Sequence, residues 1–98
     1  MTATESFLKD IHVLAVDDEE DILETIVEIL DESRVDTARE YQSASQKINA
    51  YKYDLAVLDI MGVDGLKLLE ETVERGIPTV MLTAHAISPE TLMESIQK

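Results

Sequence analysis

The sequence contains no cysteine and no tryptophan, one phenylalanine, three glycines and two prolines. Without cysteine there is no disulfide framework, no thiolate metal site and no Cys nucleophile. Cations are also scarce: 8 Lys and Arg stand against 21 Asp and Glu, a formal charge of −13 at pH 7. That excess repels nucleic-acid phosphates and anionic membrane surfaces, and it suits a divalent cation or a basic partner. The three tyrosines, Tyr41, Tyr51 and Tyr53, read as packing residues, with no stacking platform for bases. Apolar runs are short, and the N-terminal MTATESFLKD has neither a basic leader nor an apolar stretch. The expectation is a soluble, cytoplasmic protein with no signal peptide and no membrane span.

What is present is one small domain of 98 residues, able to bury roughly 60–65% of its unfolded surface in one modest core. Ile11 to Val16 (IHVLAV) is a short aliphatic run that stops at acids, a strand signal. From Glu19 the period changes: Ile22, Leu23, Ile26, Val27, Ile29 and Leu30 fall at helical spacing, with acids at the positive start of the helix. Arg34 to Ala38 is a second strand. Ser43 with Gln46 forms a capping box for a helix running to Ala50. Asp54 to Asp59 (DLAVLD) is a third strand ending on an acid. Leu66 to Glu74 is helical, with Leu66, Leu69 and Val73 on one face, Asp64 as a turn or cap residue and Gly76 as the closing residue. Ile77 to Thr83 is a fourth strand with its proline at the start. Ser88, Pro89 and Glu90 open a last helix carrying Leu92, Met93 and Ile96.

Alternating strands and helices make a parallel sheet with helices on both faces, joined by right-handed crossovers. Ligands of such sheets sit outside the carboxyl ends of the strands. Asp17 and Asp18, Asp59 and Thr83 all arrive at that edge. Three carboxylates in a small volume repel one another unless a cation intervenes. Mg²⁺ suits them, because it takes few carboxylates directly and completes its shell with water and phosphate oxygens. Beside it, the Thr83 hydroxyl and the Ala84 N–H would stabilise phosphoryl oxygens. Asp59, alone at the end of the central strand, is the candidate nucleophile on phosphorus, and Asp17 and Asp18 are the candidate cation clamp. In isolation, Asp17 and Asp18 also read as helix-capping acids. His12 and His85 are expected in structural or surface roles, and Met61, Met81 and Met93 as gap fillers.

Three segments in this order, VDDEEDIL, VLDIMGVDG and PTVMLTAHA, resemble the receiver domain of two-component response regulators, the CheY-like superfamily, over essentially the whole chain. The resemblance implies a flavodoxin-like α/β fold in strand order 2-1-3-4. It makes Asp59 the phosphoacceptor, Asp18 a direct Mg²⁺ ligand, Asp17 a ligand mainly through water, and the Met61 backbone carbonyl the remaining protein ligand. Thr83 would be the switch hydroxyl, and Ala84 would offer its N–H to the phosphoryl group. The donor would be a phosphohistidine on a sensor histidine kinase or phosphotransfer protein, docking on the first helix at Ile22 and Ile26, residues that read equally well as core. Self-phosphorylation and slow dephosphorylation would be the only turnover, so a conventional enzyme is not expected.

Two features depart from the family pattern. The loop MGVDG is about two residues shorter than usual and lacks its proline. The sequence also stops at Lys98, before the family's fifth strand with its lysine and before the fifth helix. The expectation is therefore a receiver domain over residues 1–98, incomplete at its C-terminus, with residues 1–9 as a tail. A bare fourth-strand edge would favour a dimer or a domain swap. Two other functions compete with this one. A phosphatase of the haloacid dehalogenase type would need a second Asp two residues after the nucleophile, where Met61 stands. An interaction and dimerisation module working without phosphorylation would account for the missing lysine.

Overall fold

The computed structural model describes residues 10–59 and 64–82. In chain order they form β1 (His12–Val16), α1 (Glu20–Ile29), β2 (Arg34–Ala38), α2 (Tyr41–Ala50), β3 (Leu55–Asp59), α3 (Gly65–Glu74) and β4 (Thr79–Leu82). The four strands are parallel in the order β2-β1-β3-β4. This is the flavodoxin-like arrangement expected. The tail 1–9, the Met61–Val63 part of the short loop, and the last helix from Ser88 lie outside the described residues.

β1 and β3 are central, so both faces of each must be apolar. Val13, Ala15, Leu55 and Val57 face one layer with Leu23 and Ile26 of α1 and with Leu30 just after it. Leu14, Val16, Ala56 and Leu58 face the other, with Ala44 and Ile48 of α2 and Leu68 of α3. Ile26 is only 1% exposed. It belongs to the core and not to a docking face, and the half-buried Ile22 packs against the edge of the same cluster. Val27, also at apolar spacing, points outward.

The capping box does not form. α2 starts at Tyr41, so Ser43 lies inside the helix and its hydroxyl donates back to the Glu40 carbonyl at 3.3 Å, the local bond that competes with capping. In α3 the buried residues are Gly65, Leu68 and Thr72, whereas Leu66 and Val73 are exposed; of the apolar face read from the sequence, only Leu69 packs against the core. Thr72 is tolerated there because its hydroxyl donates to the Leu69 carbonyl and accepts from Thr79 Oγ1 at 2.7 Å.

Asp64 does occupy the N-cap position, in the left-handed region at φ 54° and without a side-chain cap bond. At the other end of α3, Gly76 N–H donates to the Val73 carbonyl and Ile77 N–H to the Thr72 carbonyl. These bonds and the φ of 72° at Gly76 make the helix-terminating motif for which glycine is favoured. Pro78 precedes β4, and its carbonyl accepts from Ala56 N–H. Tyr53 is buried, as packing requires, but Tyr51 is 58% exposed.

Candidate functional site

The register puts Val16 of β1 opposite Leu58 of β3. One residue further along each parallel strand, Asp17 and Asp59 stand side by side at the carboxyl edge. Both are buried, at 4% and 5% exposure, and Asp18 on the following turn is exposed. Carboxylate oxygens of all three lie within 4.8 Å of one another. Among the described residues, this is the only group of acids and histidines so arranged. Thr83 follows Leu82, which is paired in register with Asp59. Thr83, Ala84 and Met61 themselves lie outside the described residues.

The turn carrying the acid pair is held by the backbone and by Asp17 itself. Asp17 N–H donates to the Ala38 carbonyl at 3.1 Å, and Asp17 Oδ1 accepts from Glu19 N–H at 2.8 Å. Arg39 Nη2 reaches the Asp18 carbonyl at 3.3 Å. α1 begins only after this turn, capped by Glu19 with no side-chain bond and carrying Glu20 and Asp21 in its first turn. Asp17 and Asp18 are therefore not caps of that helix, and the first-turn acids suit its positive end.

Burial pushes the Asp17 carboxyl up to about 6 from its ordinary value of 3.8. The Glu19 N–H bond pulls it down, and the charges of Asp59 and Asp18 push it further up. Crowding of charge in a dry corner is the physical cause. A hard divalent cation relieves that crowding, and an all-oxygen donor set of carboxylates fits Mg²⁺ rather than a softer metal. The arrangement can hold such an ion and present a carboxylate oxygen to an incoming phosphorus.

His12 takes the structural role expected of it. His12, at the start of β1, bonds Asp36 and the Lys52 carbonyl. The signal was not local, since these partners stand 24 and 40 residues away. His85 lies outside the described residues.

Comparison with known proteins gives a consistent picture. The sequence model of the response regulator receiver domain matches residues 13–97. The chain is similar to the N-terminal domain of a response regulator receiver protein from Methanoculleus marisnigri JR1, with 35% identity, a TM-score of 0.69, and coverage of 86% of this chain and 75% of that one. It is also similar to NtrX from Brucella abortus, solved in complex with ADP, with 35% identity and a TM-score of 0.70 over 90% of this chain and 21% of that one. A CheY-like receiver domain protein from Methanospirillum hungatei JF-1 shares the fold at 22% identity, with a TM-score of 0.79 over 91% of this chain and 92% of that one. No curated protein matches.

Proposed function

Because the chain belongs to the response regulator receiver domain family, we propose that it accepts a phosphoryl group on Asp59 from a phosphohistidine, in a Mg²⁺-dependent step of two-component signalling. The observation that carries this reading is the convergence of Asp17, Asp18 and Asp59, with oxygens within 4.8 Å of one another at the carboxyl ends of β1 and β3. An Asp59 carboxylate oxygen attacks phosphorus in line with the departing imidazole nitrogen. The Asp59 O–P bond forms as the donor's N–P bond breaks, and the nitrogen keeps the bonding pair. Bound Mg²⁺ would neutralise charge on the phosphoryl oxygens.

Asp18 would hold the ion directly, Asp17 mainly through water, and the Met61 carbonyl would complete the protein's share. Thr83 would supply the hydroxyl and Ala84 the N–H to the phosphoryl oxygens. The donor is a sensor histidine kinase or phosphotransfer protein that meets the outer part of α1, in the cytoplasm. No helix among the described residues is long and apolar enough to cross a membrane. The chain is an acceptor rather than a turnover enzyme. Among the described residues β4 pairs only with β3, and its other edge would join a second copy.

Intact-mass spectrometry after treatment with acetyl phosphate tests the chemistry. The expected result is a gain of one phosphoryl group that requires Mg²⁺ and is lost in Asp59→Asn. A gain that persists in that variant, or no gain at all, would remove Asp59 as acceptor.

A further inference from the structure

Among the described residues β2 pairs only with β1, so it forms one edge of the sheet. Arg34 N–H donates to the Ile11 carbonyl, and the Ala38 carbonyl accepts from Asp17 N–H. Backbone groups of successive residues in a strand point to opposite sides. The N–H and C=O of Val35 and Thr37 therefore point away from β1, along the outer edge. Sheet edges are commonly blunted by charged side chains. On the α1 side of this edge stand Val35, packed against the α1 cluster, and Thr37, neither of them charged. Asp36, on the opposite side, is engaged by His12 and Tyr53.

Beside the edge runs a groove of about 540 Å³ between α1 and the end of β2. Leu23 and Val27 give it an apolar wall, and Val27 is 42% exposed. Glu20, Glu24 and Glu28 line it from the same helix, all three exposed. Their spacing of four residues repeats about every 6 Å along α1, close to the roughly 6.6 Å between alternate residues of a strand. Arg39 stands at one end, its guanidinium on the Asp18 carbonyl at 3.3 Å, which leaves three carboxylates facing one cation.

We propose that this edge and groove bind an extended segment of another protein, carrying Lys or Arg at every second position, as a strand added beside β2. Its backbone pairs with the outward groups of Val35 and Thr37. Its basic side chains turn towards α1, their aliphatic stems over Leu23 and Val27 and their charged heads on the glutamates. A second copy of this chain cannot supply such a segment. Its most closely spaced cations, Arg34 with Arg39 and Lys47 with Lys52, stand five residues apart, too far for alternation. The surface is distinct from the one around Ile22, because at 100° per residue Glu20 and Glu24 lie on the other side of α1. It does not depend on phosphorylation of Asp59.

The test uses the full chain and an acetylated, amidated eight-residue peptide of alternating Lys and Val, in about 0.1 M salt to screen distant charges. Titration followed by ¹⁵N–¹H spectra is expected to shift the α1 and β2 amides, and hydrogen exchange at Val35 and Thr37 is expected to slow when the peptide is bound. Glu24→Gln with Glu28→Gln should weaken binding roughly three- to tenfold, the effect of two exposed ion pairs. Glu70→Gln with Glu74→Gln, an equal change of charge on α3, should alter it less than twofold. Of two peptides N-methylated at the lysines or at the valines, at least one should fail to bind, since one set of N–H groups faces β2. An equal effect of the two glutamine pairs would show attraction to net charge alone and overturn the proposal. So would no binding, binding without slowed exchange at Val35 and Thr37, or undiminished binding of both methylated peptides.

Discussion

Neutralising Asp17 should make the metal-free protein more stable while weakening its response to Mg²⁺. Asp17 is 4% exposed, and its carboxyl is raised from 3.8 to about 6, first by burial and then by the charges of Asp59 and Asp18 acting against the Glu19 N–H bond. A rise of about 2 units at about 1.4 kcal/mol each corresponds to about 3 kcal/mol by which the charged form disfavours folding. The sign follows from proton binding. Between pH 3.8 and about 6 the folded state holds this proton and the unfolded chain does not, so stability falls as pH rises and is lowest above the upper value. Asn keeps an oxygen for the Glu19 N–H and carries no charge, so Asp17→Asn is expected to gain about 2–3 kcal/mol at neutral pH. The melting temperature should rise by roughly 8–15 °C. The gap between the two proteins should close as pH drops towards 4, where the wild-type carboxyl is also neutral. Thermal unfolding in EDTA across this range measures it, and repeating the scan with Mg²⁺ should raise the wild type more than the variant. A variant no more stable than wild type in EDTA at neutral pH would refute the argument that buried charge is crowded here.

Two further substitutions test how the scaffold is held. Leu68, fully buried under the sheet, should cost about 2–5 kcal/mol when changed to Ala, because α3 has little freedom to collapse into the space; urea unfolding at constant m-value reads the loss. Gly76→Ala meets no atom within 4 Å but must keep a φ of +72°. Its cost should be conformational alone, about 1–2 kcal/mol, and a neutral result would show that α3 can end differently.

The core strands and the acid triad were legible because both rest on short-range pattern joined to one topological rule. Aliphatic runs that stop at an acid identify β1 and β3, and parallel neighbours necessarily carry those acids to one edge. The failures share a cause of the opposite kind. Thr72 and Gly65 are buried where Leu66 and Val73 are not, and no hydropathy period selects a threonine whose hydroxyl is satisfied by Leu69 on its own helix and by Thr79 at the start of β4. Ser43 and Gln46 have the spacing of a capping box, but α2 begins at Tyr41, whose hydroxyl is drawn to Glu71 on α3 while Ser45 bonds the same carboxylate at 2.7 Å. That one acid anchors the start of α2 to its neighbour helix and so moves the helix boundary ahead of the local signal. The His12 cluster repeats the lesson at longer range, since Asp36, Lys52 and Asp54 reach one ring and its backbone only once β1 lies between β2 and β3. In this domain, polar side chains that bridge elements decide where apolar pattern stops being informative, and the acid triad was readable because its members are the ends of the strands themselves.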